Sequence, residues 1–406
     1  MKESKKILII GGGAAGFFAA IRAAENPSYQ VSILEKSDKL LSKVRISGGG
    51  RCNVTQACFR KSQFLKAYPR GAKLLKVAFD EFDAKSTMDW FEKRGVQLKT
   101  EADGRVFPES DNSQTIVSCL LSEARRLGVD IEMNAGLEKI KPLPEGGFEI
   151  WVNGEMRFAD KVLIATGGAS KMAQYQYLYE LGLKIEKPVP SLFTFALNDE
   201  SLRALAGVSV SEVNLRAMGV EDAGAMLITH KGLSGPAVLR LSAFAALDIA
   251  KQNYTFPLFV NCLPQQNQEE LREILLNARK DNLRKQMGKF SPFKEIPLRL
   301  WNLFLLRLRI APSQIWADTT HKVINQLVEQ LANLSLQVKG KNTFKEEFVT
   351  AGGVALENID FKTMQSAKYP GLFFAGEILD IDGVTGGYNF QAAWTTGFLA
   401  GRAMAE

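Results

Sequence analysis

The sequence predicts an α/β fold in which a Rossmann-like, doubly wound parallel sheet is interrupted by an inserted β-barrel and helical domain. Strand and helix patterns alternate over residues 1–190, as the crossover units of such a sheet require. From about residue 190 the pattern changes to short alternating strands and then to helices, and glycine-rich strand ends return near residue 350. The domain that contains the sheet is therefore predicted to be discontinuous in sequence.

The first strand ends in a glycine motif. The apolar residues 7–10 lead into Gly11, Gly13 and Gly16, which have the spacing Gly-x-Gly-x-x-Gly, and an alanine-rich helical stretch follows. In this motif the first glycine permits a tight turn, the second lets the backbone approach a pyrophosphate, and the third lets the helix pack on the strand. Phosphates then lie against the free N–H groups at the helix N-terminus, including those of Ala14 and Ala15. The motif predicts dinucleotide binding.

A second strand, at residues 31–34, ends in Glu35. A carboxylate about 20 residues after the glycine motif is expected to accept hydrogen bonds from a ribose. Lys36 follows it and is predicted to lie at the same site. Because strand, glycine turn, helix and acid occur together, a dinucleotide site is favoured over a glycine turn without a ligand.

A glycine-rich loop is predicted at residues 44–55. Its three consecutive glycines allow backbone N–H groups to reach a ligand, and Arg51 is expected to offset the charge of a pyrophosphate or flavin. Cys52 is a candidate catalytic residue that donates a proton to a substrate double bond, although a small cysteine is often simply packed in the core. The residues around this loop that we predict to contact the cofactor are Lys43, Ser47, Gly48, Gly50, Arg51, Cys52 and Asn53.

The end of the chain favours FAD over a nicotinamide dinucleotide. FAD requires a second clamp and a helix end beneath the flavin ring, and residues 375–391 combine a glycine–acid turn with the start of a final helix. The strand at residues 161–168 ends in another glycine pair, and the turn at residues 134–137 is expected to lie over the adenine. The further predicted cofactor contacts are Leu137, Thr166, Gly167, Gly376, Glu377, Asp380, Gly387, Tyr388, Asn389 and Gln391.

These patterns give predicted domain boundaries. Residues 1–190 and 345–406 are predicted to form the cofactor domain, and residues 191–344 the inserted domain. Within the insert we predict a β-barrel part at 191–263, a helical part at 264–334 and a return strand at 335–344. The insert is therefore expected to contain both strands and helices.

His230 lies in the predicted barrel part, just before a plausible helix start at residues 232–236 whose N–H groups are able to receive an anion. It is a second candidate catalytic residue, and the alternative is a polar residue that caps a turn. With two histidines and no Cys-x-x-Cys pair, the chain indicates neither a metal site nor a disulfide scaffold, so a reducing cytoplasm is expected. The apolar segment at 297–310 is too short and too rich in arginine to cross a membrane.

The formal net charge is +7, and the basic residues are unevenly distributed. One cluster, at residues 60–76, contains no acid. The other cluster lies in the helical part, where residues 279–309 contain two acids, Asp281 and Glu295, against nine basic residues. The basic residues are Arg279, Lys280, Arg284, Lys285, Lys289, Lys294, Arg299, Arg307 and Arg309. Such clusters are either solvated faces or contact surfaces for a phosphate-bearing partner, and the partner that we consider is RNA bound through the helical part. The sequence carries no signal for an oligomeric state.

Seven stretches together resemble one known family. They are residues 11–16, 46–55, 104–108, 165–168, 229–236, 350–354 and 375–391. In this order they resemble the YhiN/BaiN-like flavoproteins, a group that includes an rRNA dihydrouridine synthase and proteins labelled as aminoacetone oxidases. The resemblance implies an FAD-bound two-domain fold with an inserted β-barrel and helical part. It also implies reduction of a carbon–carbon double bond conjugated to a carbonyl, or the reverse oxidation.

Three functions remain open from the sequence. The first is an FAD-dependent reductase that takes electrons from NAD(P)H and acts on a small molecule or on a uridine of ribosomal RNA. The second is an FAD-dependent oxidase of a small amino-ketone such as aminoacetone, and the third is a flavin-binding protein without turnover. The sequence contains no second full Gly-x-Gly-x-x-Gly unit, so no dedicated nicotinamide domain is expected. Either NAD(P)H binds transiently and reduces the flavin, or an external reductase supplies the electrons.

Overall fold

The structure is a computed structural model that describes residues 5–342 and 349–406. The chain divides into two compact units, one formed by Met1–Pro190 with Lys345–Glu406 and the other by Ser191–Phe344. We call them the first and the second unit. Within the described residues, no helix combines the length and the apolar character needed to cross a bilayer.

The strands are β1 Lys5–Ile10, β2 Tyr29–Glu35, β3 Thr55–Gln56, β4 Leu98–Thr100, β5 Arg105–Pro108, β6 Asp130–Met133, β7 Leu137–Pro142, β8 Phe148–Val152, β9 Glu155–Ala159, β10 Lys161–Ile164, β11 Ile185–Ser191, β12 Thr194–Leu197, β13 Ser209–Ala217, β14 Val220–Thr229, β15 Gly232–Ser234, β16 Thr255–Asn261, β17 Leu334–Asn342, β18 Val349–Val354 and β19 Leu372–Phe374. The helices are α1 Ala14–Ala24, α2 Ser42–Gly50, α3 Lys61–Phe64, α4 Ala72–Ala78, α5 Ala84–Glu92, α6 Gln114–Arg126, α7 Gln176–Glu180, α8 Glu200–Arg203, α9 Pro236–Phe244, α10 Ala246–Lys251, α11 Gln268–Asp281, α12 Leu298–Arg307, α13 His321–Ala332 and α14 Tyr388–Ala405.

The first unit is built on a five-stranded parallel sheet with the strand order β19-β10-β1-β2-β6. Its central strands are apolar on both faces, and Ile7, Ile9 and Ile33 are fully buried, as expected where layers cover a parallel sheet on both sides. Because the strands are parallel, the segments that follow β1, β2, β10 and β19 meet at one edge. The predicted Rossmann-like α/β fold class is therefore confirmed.

The first and last helices of this unit pack unusually closely. A Cβ atom on Gly397 of α14 would lie 2.5 Å from the carbonyl oxygen of Ala15, and one on Gly401 would lie 2.4 Å from that of Ala19. Both distances are too short for any side chain, so glycine is required where the two helix backbones meet. This contact fixes the start of α14 against α1.

Smaller sheets complete the first unit. Strands β7, β8 and β9 form an antiparallel sheet, and the turn of its second hairpin, Asn153 with φ +53° and Gly154 with φ +77°, has the left-handed geometry that tight hairpins favour. Strands β3, β5 and β4 form another antiparallel sheet, and β11 pairs with β18.

The second unit contains a closed barrel with the strand order β12-β15-β14-β13-β16-β17. Its last strand, β17, overlaps the return strand that we predicted at 335–344, of which residues 343 and 344 lie outside the described part of the chain. Helices α9 and α10 lie within the segment that we predicted as the barrel part, and α11, α12 and α13 lie in the predicted helical part. The rings of Trp301 and Trp316, both fully buried, stack in the core of this unit with their centroids 6.3 Å apart.

The predicted loop at 44–55 begins as a helix. Residues 42–46 belong to α2, and the helical path breaks at Ser47, Gly48 and Gly49, whose backbone angles are not helical. The break follows from composition, because consecutive glycines gain more conformational freedom outside a helix than any other residue type.

Candidate functional site

The turn after β1 requires glycine at two positions. Gly11 has φ +118°, and a Cβ there would lie 2.3 Å from the carbonyl oxygen of Ala165 at the end of β10. A Cβ on Gly16 would lie 2.0 Å from the carbonyl oxygen of Gly11, so the helix can pack on the turn only without a side chain. The backbone N–H of Gly11 donates to the carbonyl of Leu34 over 2.8 Å, which joins the turn to β2.

Gly13 differs from these two glycines because it faces open space. No atom lies within 4 Å of the place that its Cβ would occupy, and it is the N-cap of α1 without a side-chain capping bond. The first N–H groups of a helix have no acceptor within the helix and carry the positive end of its dipole. The turn therefore offers an accessible anion site, formed by the N–H groups around Ala14 and Ala15.

Glu35 is held at the end of β2 by its own neighbours. Its Oε2 accepts from the backbone N–H of Gly12 over 2.8 Å, and its Oε1 accepts from the backbone N–H of Ser37 over 2.9 Å and from the Ser37 hydroxyl over 2.8 Å. These bonds fix the half-buried carboxylate beside the glycine turn. Lys36 next to it is exposed, and Leu137 is half-buried at the start of β7.

The loop after α2 has three consecutive glycines in the left-handed region. Gly48, Gly49 and Gly50 have φ values of +58°, +69° and +83°. A Cβ on Gly49 or Gly50 would meet no atom within 4 Å, whereas one on Gly48 would lie 2.9 Å from the ring of Phe107. The loop thus exposes backbone at two glycines. Gly49 was not among the predicted contacts, although the run of three glycines was the signal for it.

Arg51 is paired with two acids of the protein. Its guanidinium donates to Glu101 over 2.7 Å and to Asp111 over 3.4 Å, and it lies 4.0 Å from the ring centroid of Phe107. The hydrogen bond to Glu101 is the main cause that raises the pKa of Arg51. These contacts anchor the glycine loop to β5 and its neighbours, and the role of Arg51 toward a pyrophosphate or flavin stays a prediction.

Cys52 is fully buried, with 0% of its surface exposed. Burial raises the pKa of its thiol to about 12, which makes it a weak acid. Its backbone has φ +63°, so it continues the left-handed path of the glycines. Burial and a raised pKa are typical of a cysteine packed in the core, which was the alternative for this residue, and the role of Cys52 as a proton donor stays a prediction.

Two predicted contacts, Asn53 and Gln391, are turned into the protein. The side-chain amide of Asn53 lies 3.0 Å from the backbone nitrogen of Gly387, and its amino group donates to the carbonyls of Val106 and Thr55 over 3.2 and 2.9 Å. Gln391, which is 0% exposed, accepts from the Thr55 hydroxyl over 2.6 Å.

These bonds join the segment after the glycine loop to the glycine turn that opens α14. The same amide of Gln391 donates to the Thr395 hydroxyl over 3.0 Å, so both of its ends are used within the protein. Asn53 and Gln391 thus position the turn at Gly387 through their side chains, and their contact with a cofactor stays a prediction.

The glycine–acid segment after β19 is held by hydrogen bonds to β18. Oε1 of Glu377 accepts from the backbone N–H of Thr350 over 2.9 Å, and Oε2 forms an ion pair with Lys43. Oδ1 of Asp380 accepts from the backbone N–H of Gly352 over 2.9 Å, and burial raises the pKa of this carboxyl. The structure thus places Lys43 and Glu377 together, although they are distant in sequence.

The turn that opens α14 consists of residues 382–387, and the side chain of Asn389 holds it in shape. Asn389 donates to the carbonyl of Gly383 and accepts from its N–H, both over 2.8 Å, so its amide is used within the turn. Gly387 has φ +91°, and a Cβ there would lie 2.6 Å from the carbonyl of Thr55. Tyr388 is half-buried, with its ring 4.8 Å from that of Phe64 in an edge-on arrangement.

Further predicted residues lie after β10, after β19 and in the glycine loop. Thr166 and Gly167 follow β10, and Gly167 has φ +75° with no atom within 4 Å of a Cβ position. Gly376 has φ +77°, and a Cβ there would lie 2.8 Å from that of Ala15. Ser47 is half-buried, and its hydroxyl donates to the carbonyl of Val44 over 3.1 Å.

The residues present fit an FAD. Four glycines in the segments after β1, α2 and β10 leave open space where a side chain would stand, which a bound pyrophosphate requires. These are Gly13, Gly49, Gly50 and Gly167. Glu35 ends β2, and Glu377 and Asp380 follow β19 of the same parallel sheet, so these carboxylates lie on segments that could present them to the hydroxyl groups of a ribose and of a ribityl chain.

His230 belongs to the second unit. It is exposed in the turn between β14 and β15, and its backbone carbonyl accepts from Nε of Arg203 over 2.9 Å. Within the described ranges 5–342 and 349–406, no cluster of three or more histidine, cysteine, aspartate or glutamate side chains is arranged to hold a metal ion.

Comparisons with known proteins extend over almost the whole chain. Residues 5–403 match the family described as "HI0933-like protein Rossmann domain". A "3-dehydro-bile acid delta(4,6)-reductase" of Clostridium scindens is 32% identical over 422 residues, which cover 99% of each chain. A "Ribosomal RNA dihydrouridine synthase" of Escherichia coli is 30% identical over 398 residues, 96% of this chain and 95% of that protein.

A solved structure shares the fold at low identity. The 3-ketosteroid-delta4-(5alpha)-dehydrogenase of Rhodococcus jostii RHA1 has a TM-score of 0.54 and 13% identity, covering 100% of this chain and 98% of that chain. At this identity the likeness concerns the fold alone.

Proposed function

This chain belongs to the HI0933-like family of Rossmann-domain proteins, and from that premise we propose that it is an FAD-dependent reductase of a carbon–carbon double bond conjugated to a carbonyl. The observation that carries the proposal is the glycine turn after β1, where Gly13 caps the N-terminus of α1 and has open space around its Cβ position, so that a dinucleotide pyrophosphate can approach the first backbone N–H groups of that helix. NAD(P)H is proposed as the electron donor, visiting the site transiently.

The reaction class is supported by the activities for which two relatives are named. A 3-dehydro-delta(4,6) bile acid and a uridine have one feature in common, a double bond conjugated to a carbonyl. Such a bond accepts a hydride at the carbon remote from the carbonyl and a proton at the adjacent carbon or oxygen. We extend this shared chemistry, and neither specific substrate, to the present chain.

The chain's own residues have defined parts in the proposal. The N-terminus of α1 binds the pyrophosphate, Glu35 accepts from a ribose, and Glu377 with Asp380 accepts from the ribityl hydroxyls. The bound FAD supplies the means of hydride transfer. Asn53 and Gln391 hold the turn at Gly387 in place, so that the N-terminal end of α14 keeps a fixed position beside the cofactor domain's sheet edge.

The proposal is tested with the purified protein under anaerobic conditions. We expect bound FAD in a one-to-one ratio, reduction of the flavin by NADH or NADPH, and its reoxidation by a 3-oxo-delta(4,6) steroid or by uridine-containing ribosomal RNA. Mass spectrometry then identifies a product two hydrogens heavier than the substrate.

Two results would contradict the proposal. One is a folded protein that takes up no flavin even at saturating FAD. The other is a flavin that only oxygen reoxidises, with rapid oxygen uptake in the presence of aminoacetone, since that result identifies an oxidase.

A further inference from the structure

A basic segment packs against the turn that opens α14. We define the basic segment as residues 57–79, which contain no aspartate or glutamate. On its inner side the hydroxyl of Tyr68 donates to the carbonyl of Tyr388 over 2.7 Å, and the carbonyl of Ala67 accepts from the N–H of Val384 over 2.8 Å. The basic segment is thus joined directly to one wall of the proposed cofactor site.

Its outer side carries cations without acidic partners. Two basic residues of the segment are used within the protein, since Lys61 pairs with Asp80 and Arg70 with Asp382. The other four are exposed, and no ion pair joins them to any residue in the described part of the chain. They are Arg60, Lys66, Lys73 and Lys76. Phe59 is also on the surface, with 60% of its area exposed.

We propose that this outer side, the basic face, binds the phosphate backbone of single-stranded RNA and that Phe59 stacks on one of its bases. The inference rests on the proposed function, because it places an RNA substrate beside the turn at Tyr388. Cations that neutralise phosphates, together with an exposed aromatic ring, are the features by which proteins hold unpaired nucleotides. The base of such a strand is also accessible for reduction, which a base within a duplex is not.

The segment lacks the features of a membrane-binding surface. Binding in a lipid interface requires a helix that combines cations with an exposed apolar face. Of the apolar residues of α4, Leu74, Leu75 and Ala78 are fully buried and Ala72 and Val77 are half-buried, and α3 has only one turn. The basic face therefore offers charge and one ring, without an apolar surface to insert.

The basic face belongs to the cluster at residues 60–76 and not to the helical part, to which the sequence analysis assigned RNA. The basic residues of the helical part belong to the second unit, and some are used internally, since Arg307 pairs with Asp199 and Arg299 donates to the carbonyl of Ala204 over 3.0 Å. The basic segment, in contrast, belongs to the first unit and shares two hydrogen bonds with the turn that opens α14. This connection is why we assign the RNA contact to it.

The test measures binding of a fluorescently labelled oligouridine to the FAD-loaded protein by anisotropy at several salt concentrations. One variant combines Arg60→Ala, Lys66→Ala, Lys73→Ala and Lys76→Ala, and a second is Phe59→Ala. A matched control removes four exposed cations of the helical part through Lys280→Ala, Arg284→Ala, Lys289→Ala and Lys294→Ala. Retained FAD content and thermal midpoint show that each variant is folded.

We expect the first variant to lose at least tenfold in affinity and the Phe59→Ala variant about five- to tenfold, as for loss of one stacked base. The slope of log affinity against log salt should decrease by about 0.7 for each cation removed, so by about 3 for all four. The control should change affinity by less than twofold.

Three results would overturn the inference. They are an absence of oligouridine binding by the unmodified protein, a loss of affinity in the control variant with none in the basic-face variants, and binding of phosphatidylserine vesicles in place of RNA. Failure of the proposed function is separately visible, because FAD uptake and reduction of a small steroid enone do not require RNA.

Discussion

The guanidinium of Arg70 forms a two-point ion pair with the carboxylate of Asp382, with both Nε and Nη2 donating. The Asp382 side chain is 0% exposed and that of Arg70 is 12% exposed. The pair joins the basic segment to the turn that opens α14, which ends at Gly387 next to Tyr388. The position of that turn depends on a buried charge pair between residues far apart in the sequence.

Removing one partner of this pair should be strongly destabilising. Asp382→Asn leaves the Arg70 guanidinium buried with a weaker acceptor, so we expect a loss of about 3 kcal/mol in unfolding free energy, together with a lower FAD content. Urea denaturation and visible absorbance measure the two effects. The double variant Arg70→Met with Asp382→Asn should recover part of the loss, and simply additive destabilisation would contradict a direct pairing.

Substitution of Gly50 should distinguish two effects of an added side chain, the loss of stability from backbone strain and the loss of FAD affinity from a steric clash with the cofactor. Gly50→Ala and the control Gly128→Ala each place a side chain on a left-handed residue with open space around its Cβ position, with φ +83° and +71°. Both should lose about 1 kcal/mol of stability. Only Gly50→Ala should also weaken FAD binding, measured by titration of the apoprotein, because Gly50 lies in the glycine loop that we propose to contact the cofactor. Equal FAD affinities would remove Gly50 from the site.

Glu35 should contribute to FAD affinity through its charge. Glu35→Ala removes the carboxylate that is held by Gly12 and Ser37, and loss of a charged hydrogen bond to ribose should weaken FAD binding by about tenfold or more. The exposed Glu145→Ala serves as the control and should bind FAD normally. Calorimetric titration gives the dissociation constants. An unchanged value in the Glu35 variant would show that the ribose is held by other groups.

The buried cysteines should be chemically inert in the folded protein. Burial raises the pKa of both Cys52 and Cys262 to about 12, so about one thiol in ten thousand is ionised at pH 8. A thiol-reactive reagent should label the half-exposed Cys58 first and these two only after denaturation, as read by peptide mass spectrometry. Turnover should persist in Cys52→Ala. Rapid labelling of Cys52 in the folded protein, or loss of the proton-transfer step alone in Cys52→Ala, would contradict this expectation and support a catalytic role for Cys52.

Asp380 should make the protein less stable as the pH rises. Burial raises its pKa in the folded state above the ordinary value of 3.8, so the folded state binds the proton more tightly than the unfolded state. The stability that this group contributes is complete below pH 3.8 and is lost as the pH increases through the raised pKa.

Asp380→Asn removes this titration while keeping an oxygen for the N–H of Gly352. Its thermal midpoint relative to the unmodified apoprotein should therefore increase between acidic and neutral pH. Glu145→Gln, at an exposed position, is the control and should show no such trend. A difference between Asp380→Asn and the unmodified protein that stays constant with pH would contradict the raised pKa.

Local patterns predicted the parts of the fold that depend on nearby residues. Three features depend only on residues close to one another in sequence, namely the glycine spacing after β1, the acid at the end of β2 and the Asn153–Gly154 hairpin. The parallel sheet and the barrel were predicted from the pattern of strands along the chain. The roles of Asn53, Arg51 and Gln391 were not predictable in this way. A polar residue beside a glycine motif has the same sequence signature whether it faces a ligand or holds a loop.

By itself the sequence determined the α/β class, the glycine turn and the carboxylate of Glu35, because each depends on backbone geometry and short spacing. Only the tertiary structure decided which polar side chains face open space and which are used inside the protein. Gln391 reaches Thr55 across 336 residues and Arg51 reaches Glu101 across 50. Buried polar groups need hydrogen-bond partners, and which distant residue supplies the partner depends on how the chain folds in three dimensions.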